Sequence, residues 1–303
     1  MQETREIEAV VTSYNQETML GEAVRSLCAQ TLRPARIIVV DDGSTEENSL
    51  AVLKRLQADT RLPVPVQMVR QANGGVSAAR NTGIREAQAP MVLVLDGDDR
   101  LEPRYIERVL PLLQADSGMV AASAWMRTFG VLNAVVRPGG GKIGDFLARN
   151  SCPATHILRR AAWEKSGGYD ETMRSGFEDW DFFLSLLQTA PDAHIGIVPE
   201  PLIDYRTAPA SSNIKSMEKR LTLIRYLIRK HLPAYQAHVE EAVLGVEAAS
   251  IARLYGWESE MCRAAAQGEA LAPASAAFLE SPTYGDGGIA AAVRVVSAPG
   301  GRQ

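Results

Sequence analysis

The strongest constraint on this chain is an alternation that runs through its first hundred residues. Short runs that are apolar on both faces trade places with segments whose apolar residues recur at helical spacing. Ile7 to Thr12 is a β-branched apolar run ending in Ser13-Tyr14-Asn15, and Leu20, Ala23, Val24, Leu27 and Cys28 then fall on one helical face. Arg36 to Val40 carries Ile-Ile-Val-Val up to Asp41-Asp42-Gly43-Ser44, and Leu50, Leu53 and Leu56 form the next helical stripe. Val64 to Val69 reads as a third strand, and the Asn73-Gly74-Gly75 loop leads into a helix over Val76 to Ala87. Met91 to Leu95 is a fourth strand, closed by Asp96-Gly97-Asp98-Asp99. Strands without polar alternation need cover on both faces, and helices between successive strands supply it on a parallel sheet. Ligands of such sheets gather beyond the carboxyl ends of the strands. Three strand ends finish in polar clusters, so the fold brings those clusters to one rim.

The second half is more mixed. Met119 to Trp125 reads as a strand, Pro138 to Lys142 as a glycine-rich loop, Ala161 to Ser166 as a short helix before Gly167-Gly168, and Asp179 to Gln188 as a helix. From about Ser216 the chain reads as helical through Arg263. The organisation expected is one α/β domain over 1–212, made of a regular half about 1–100 and a more mixed half about 101–212. A helical region over 213–270 and a loosely ordered Ala-, Pro- and Gly-rich tail over 271–303 follow. A net charge of −4 gives no global basic field for nucleic acid. No run reaches the ~18 apolar residues of a membrane span. The polar start from Met1 to Glu8 leaves no room for a signal peptide, and Cys28, Cys152 and Cys262 lack metal-ligand spacing. A cytoplasmic protein with ordinary reduced thiols is expected.

Three acidic constellations could carry chemistry. In Asp96-Gly97-Asp98, carboxylates one residue apart on a turning backbone can face one hard cation, and glycine permits close approach. The same residues also suit a turn with a helix cap at Asp99. Asp42 can accept a hydrogen bond from a base imide while Tyr14 offers a ring for stacking, but taken alone the stretch is explained by strand-turn-cap chemistry, with Ser44 capping the next helix. Phe177-Glu178-Asp179-Trp180-Asp181 crowds carboxylates into the first turn of a helix, where the dipole favours them. One of them can equally serve as a general base beside an aromatic platform.

Together these stretches resemble the family-2 inverting glycosyltransferases. The resemblance runs in order through Val10-Val11-Thr12-Ser13-Tyr14-Asn15, Val39-Val40-Asp41-Asp42-Gly43-Ser44, Asn73 to Asn81, Leu95-Asp96-Gly97-Asp98-Asp99, Gly167-Gly168-Tyr169-Asp170 and Glu178-Asp179-Trp180-Asp181. It covers roughly residues 5 to 210. It implies an α/β fold of GT-A type, with a mostly parallel Rossmann-like sheet flanked by helices and a C-terminal helical extension. The implied reaction moves a sugar from a nucleoside-diphosphate donor, UDP- or dTDP-linked, to a hydroxyl acceptor on a glycan, a lipid-linked molecule or a small molecule, with Mg²⁺ or Mn²⁺ as cofactor. By position, Thr12, Tyr14 and Glu17 would line the nucleoside pocket and Asp42 would bind the base. Arg80 would steady the pyrophosphate, Asp96 would lie near ribose and metal, and Asp98 would be the principal metal ligand. Asp179 would be the base, with Glu178 and Trp180 shaping the acceptor side and His156 on a loop facing the donor sugar. The loops Gly139 to Gly144 and Pro153 to His156 would shape donor specificity. Where many relatives carry a histidine after Tyr205-Arg206, this chain has Thr207-Ala208-Pro209-Ala210-Ser211-Ser212, which leaves Ser211, Ser212 or Lys215 to contact phosphate.

Other readings compete. A nucleotidyltransferase would need a Gly-rich, basic stretch near the N-terminus, and a dehydrogenase would need Gly-x-Gly-x-x-Gly after the first strand; both are missing. The absent histidine keeps open a catalytically silent relative that binds nucleotide or glycan, or serves as a scaffold. The segment with Lys215, Lys219, Arg220, Arg225, Arg229 and Lys230 around Leu221, Ile224, Leu227 and Ile228 has two readings. It is a peripheral foot on the inner face of the membrane, or a face packed on the core or on a second copy in a homodimer.

Overall fold

A computed structural model describes residues 2–209 and 212–298. The first part runs β1 (Gln2–Glu3), β2 (Ile7–Ser13), α1 (Glu17–Cys28), β3 (Leu32–Arg33), β4 (Ile37–Asp41), α2 (Glu47–Ala58), β5 (Val66–Arg70), α3 (Val76–Glu86) and β6 (Met91–Asp96). It continues through β7 (Arg100–Leu101), α4 (Tyr105–Ala115), β8 (Met119–Gly130), β9 (Val135–Val136), α5 (Ile143–Leu147), β10 (His156–Arg159), α6 (Arg160–Ser166), α7 (Glu178–Leu187) and β11 (His194–Thr207). Helices α8 (Ser212–Glu218), α9 (Arg220–Lys230), α10 (Leu232–Ala237), α11 (Val239–Gln267), α12 (Pro273–Glu280) and α13 (Gly288–Ser297) complete it.

The main sheet has the order β5-β4-β2-β6-β10-β8-β11-β7, with β9 alongside β8. Strands β5, β4, β2 and β6 are parallel, which puts their carboxyl ends on one rim: Thr12 lies opposite Asp96, and Ser13 opposite Asp41. Strand β10 then runs antiparallel to β6 and pairs His156 with Val94. The long β11 is parallel to β8, and its far end meets β7 through the pairs Ile203–Leu101 and Asp204–Arg100. That last pairing returns residues 204–206 to the Asp96–Asp99 turn, which immediately precedes β7.

Core packing follows from the double-sided strands. Ile7, Ala9, Val11, Leu93 and Leu95 pack with Leu20, Val24 and Leu27 of α1 and with Tyr105, Ile106 and Val109 of α4. The opposite face carries α3, which approaches so closely that a Cβ on Gly83 would lie 2.3 Å from Val10 Cγ1. The extended residue count of β11 escapes the sequence pattern because Pro199 and Pro201 interrupt it, and the strand survives by shifting register between Val198 and Ile203.

The chain divides into two compact units, 1–239 and 240–303, rather than at residue 212. Helices α8, α9 and α10 belong to the first unit. There Leu223 and Leu227 of α9 are buried, and Lys230 ion-pairs with Asp170 and Asp181 at 2.7 Å each. Leu221 and Ile228 face outward. The tail expected to be loosely ordered instead carries α12 and α13, which enclose a small core of Met261, Phe278, Ala291, Ala292 and Val295. Small alanines let these helices approach closely, and Trp257 closes the cluster with its ring 4.5 Å from Phe278. No helix among the described residues is long and apolar enough to cross a membrane.

Gly83→Ala should lower the melting temperature, because the added methyl must displace Val10 or the helix itself. Overpacking of this kind costs about 1–3 kcal/mol, roughly 3–8 °C for a domain of this size, with the wild-type circular-dichroism spectrum retained below the transition. An unchanged melting temperature would show that α3 has room to move.

Candidate active site

Arg80 lies on the sheet-facing side of α3 with 1% of its surface exposed. Its Nη2 donates to both carboxylate oxygens of Asp96, at 2.8 and 2.9 Å, and its Nη1 donates to Glu178 at 3.2 Å. Burial works against the charge on the guanidinium, but Asp96 and then the groups around it outweigh that, so Arg80 stays protonated more firmly than in water. One buried cation thus joins the end of β6 to the start of α7, two segments that are 82 residues apart (178 − 96). Thr12 Oγ1 donates to Asp96 Oδ1 at 3.2 Å and completes the ring around it.

The turn after β6 is tightly specified. Gly97 N–H donates to the Thr12 carbonyl at 2.9 Å, and a Cβ on Gly97 would fall 2.6 Å from that same oxygen, so only glycine fits. Asp99 is buried and accepts the Arg206 backbone N–H at 2.8 Å, while Arg206 Nε donates to the Asp98 carbonyl at 2.9 Å. Arg206 is held in turn by Glu22 at 2.8 Å and by the ring of Phe129, 4.5 Å from its guanidinium carbon. Asp98 itself receives a long hydrogen bond of 3.4 Å from the Gln16 amide. Burial, reinforced by the charge of Asp96, pushes the Asp98 carboxyl up to about 6.

These partners decide which residues could hold a divalent cation. Asp96 is committed to Arg80 and Asp99 to Arg206. Among the described residues no trio of His, Cys, Asp or Glu side chains is arranged around a common point. Among the described residues Asp98 is a half-buried carboxylate in no ion pair, and beside it the buried Gln16 Oε1 receives no hydrogen bond. That pair suits a cation whose remaining ligands come from a bound diphosphate and water.

At the end of β2, Tyr14 stands half exposed, as the stacking platform expected of it requires. Asn15 and Glu17 adopt left-handed backbone (φ +52° and +46°), and Asn15 Oδ1 accepts the N–H groups of Thr45 and Glu46 at the start of α2. Glu17 is exposed, and its N–H donates to Ser49 Oγ. Asp42, expected to meet a base, is turned towards the neighbouring loop. Its oxygens accept from Gly74 N–H and Gly75 N–H at 2.8 Å each and from the Gln71 amide at 2.7 Å. Asp42 therefore folds the Asn73-Gly74-Gly75 loop against the carboxyl rim of the parallel strands.

Across the Arg80 bridge, α7 begins at Phe177, whose φ of +65° turns the chain sharply into the helix. Asp179 is the second helical residue. Its Oδ1 accepts its neighbour Trp180 N–H at 2.8 Å, and its Oδ2 accepts the Asn150 amide at 2.9 Å. Burial, then the adjacent Glu178 charge, drives its carboxyl up to about 7, with Arg80 opposing the rise. Tyr205 on β11 senses both sides of the cleft. Its hydroxyl is pushed up by burial and by Asp99, Asp96, Asp98 and Asp179.

Two expected sugar contacts are placed elsewhere. His156 is fully buried, its Nδ1 on the Ala154 carbonyl at 2.7 Å and its ring 4.9 Å from Phe183. Burial drives its pKa down to about 3, which marks it as a neutral core histidine. Trp180 is also buried, and its indole N–H donates to the Phe146 carbonyl at 2.6 Å. It anchors α7 to α5. Neither ring can touch a sugar without repacking. Ser211 and the side chain of Ser212 lie outside the described residues, and Lys215 is exposed. Asn150, Arg206, Tyr205 and Gln16 belong to the cleft although no motif marks them.

The sequence profile of the Glycosyl transferase family 2 matches residues 8–167. The chain belongs to that family. It is 28% identical over 215 residues to an uncharacterized glycosyltransferase, YwdF, of Bacillus subtilis, a match spanning 68% of this chain and 76% of that one. Crystal structures of S. aureus TarS share the fold. TarS 1–349 aligns at a TM-score of 0.59 with 17% identity, over 78% of this chain and 70% of that one. Its complex with UDP-GlcNAc aligns at 0.56. This glycosyltransferase thus has the GT-A fold, and its Asp98 and Asp179 sit at the rim where the parallel strands end.

Asp98→Asn should make the glycosyltransferase more stable while weakening its function. A carboxyl whose folded-state pKa is raised favours the protonated form, so its penalty grows as pH climbs past the unfolded value and is complete above about 6. At pH 8 the amide should add about 1–2 kcal/mol, seen as a melting temperature a few degrees higher, with the gain vanishing near pH 4. A lower melting temperature at pH 8 would mean that Asp98 has a structural partner.

Proposed function

We propose that this glycosyltransferase moves a sugar from a UDP-linked donor to a hydroxyl acceptor with inversion at the anomeric carbon, and that Asp179 is the general base. The observation that carries the reading is the carboxyl of the half-buried Asp179, raised to about 7, that the Arg80 bridge holds opposite the Asp98 turn. A base with a pKa near the working pH combines a substantial ionised fraction with real proton affinity. Structures of TarS bound to UDP and to UDP-GlcNAc support a uridine nucleotide as the carrier.

In the proposed step the acceptor oxygen attacks the anomeric carbon as its proton passes to a free lobe of the Asp179 carboxylate. The bond from that carbon to the β-phosphate oxygen breaks, its electron pair stays on the diphosphate, and the configuration inverts. Tyr14 stacks on the base, and the Asp42-folded loop walls the nucleotide. Asp98 and Gln16 would hold Mg²⁺ or Mn²⁺, which when bound would neutralise the charge gathering on the leaving diphosphate. Arg80 keeps Asp96 and Glu178 paired, so neither carboxylate competes for the acceptor proton.

Two outcomes test this together. Asp179→Asn should lower turnover of UDP-sugar by about 10²–10⁴-fold while calorimetry finds UDP affinity within roughly twofold of wild type. In the wild type, kcat/KM should rise with pH through a limb near 7, because the base must be ionised to accept a proton. Near-normal turnover by Asp179→Asn, or retained anomeric configuration in the product, would overturn the proposal.

A further inference from the structure

Asp179 is steered by a residue that no motif marks. Asn150 lies in the loop that leaves α5, and this loop is fastened on both sides. Ser151 Oγ donates to the Asp145 carbonyl at 2.9 Å, the Ser151 carbonyl accepts Gly140 N–H at 2.9 Å, and α5 is tied to α7 through Trp180 and Phe146. Within the loop, Asn150 Oδ1 accepts the Cys152 N–H at 3.2 Å. That contact orients the amide, because only its oxygen can accept, and the NH₂ end is left pointing at Asp179 Oδ2, 2.9 Å away.

We propose that Asn150 is a positioning residue for the catalytic base: its amide donor fixes one oxygen of Asp179, favours the ionised carboxylate, and leaves the remaining lone pairs for the acceptor hydroxyl. The proposal rests on Asp179 being the base. A carboxylate offers about four acceptor directions. The Trp180 N–H takes one and Asn150 takes another, and both are pure donors that cannot receive the proton. Proton transfer is thereby confined to the lobes facing the cleft. The donated hydrogen bond also offsets the groups that disfavour charge on Asp179. Glu178 lies beside it on α7, Asp96 faces it from β6, Tyr205 from β11 and Cys152 from the same loop as Asn150, with Tyr169 behind; Arg80 on α3 acts in the same sense as Asn150.

The discriminating variant is Asn150→Asp. An aspartate keeps the oxygen that accepts the Cys152 N–H, so the loop keeps its tie, and only the atom facing Asp179 changes from donor to anion. Two readings on the full chain are compared, with Asn150→Ala as the second variant should the aspartate fail to fold. One is the titration midpoint of Asp179 by ¹³C NMR of aspartate-labelled protein, its resonance identified by loss in Asp179→Asn. The other is the pH profile of UDP release from UDP-GlcNAc, UDP-glucose and UDP-galactose. In Asn150→Asp the NMR midpoint should rise by about one pH unit or more, and in Asn150→Ala by less. The kinetic limb should follow it, cutting kcat at pH 7 roughly fivefold, with recovery above pH 9 and an unchanged KM for the donor. An NMR midpoint that stays put in both variants overturns the role of Asn150, whatever the kinetics do. A midpoint that moves while the kinetic limb does not would keep the hydrogen bond but refute Asp179 as the base, and the positioning role would fall with it.

Discussion

The structure depends on a guanidinium that water does not reach. Arg80 sits inside α3, and an unpaired charge there would be prohibitive, so Asp96 and Glu178 must come to it. Removing one partner of such a buried pair typically costs about 3–5 kcal/mol, because the other charge is left stranded. That penalty fixes the distance between β6, whose end carries the Asp98 turn, and α7, whose start carries Asp179. The half of the domain that resembles a nucleotide-binding sheet and the half that carries Asp179 are therefore joined by an ionic bridge as well as by strand pairing. Phe177, in left-handed backbone at the mouth of α7, is a local strain of the kind that persists where surrounding contacts over-determine the geometry.

Around this bridge, residues of similar chemistry take up different duties. Asp96, Asp98 and Asp99 are near neighbours, yet Asp96 is neutralised by Arg80, Asp99 is buried against the Arg206 backbone N–H, and Asp98 is half-buried beside the Gln16 amide; burial and the neighbouring acids raise the carboxyls of both Asp98 and Asp99. Glu178 and Asp179 divide in the same way: the first pairs with Arg80, and the second is raised towards neutrality by burial and by that neighbour. Pairs of acids pushed apart by environment are how a site obtains one group for charge and another for proton transfer. Arg206 extends the same economy, holding the Asp98–Asp99 turn from β11 while Phe129 and Glu22 hold Arg206.

Much of this was legible in the residues themselves. Strands apolar on both faces, such as Ile37 to Val40, announce a covered parallel sheet, and the acids at their ends announce a ligand rim. What could not be read are positions set by distant partners. Asn150 reaches Asp179 across 29 residues and Arg206 reaches Asp99 across 107, and neither carries a local signal. Prolines hid the start and length of β11, and alanine-rich composition hid α12 and α13, where small residues make helix contacts rather than disorder. His156 and Trp180 look like binding residues by type but are consumed by the aromatic core around Phe183 and Phe146. Asp42 looks like a base reader, and in the structure its carboxylate is spent on folding the glycine loop beside it.

The central claim is that Arg80 is a structural bridge setting the spacing of Asp98 and Asp179, and that the diphosphate lies between those two. A crystal structure of the protein with UDP and Mn²⁺, with the cation located by anomalous scattering, tests it most directly. The account predicts a manganese peak on the Asp98 carboxylate, the diphosphate on the Asp179 side of that peak, and Arg80 still bound to Asp96 and Glu178. Arg80 swung out onto the phosphates, or a nucleotide lodged away from the Asp98 turn, would contradict it.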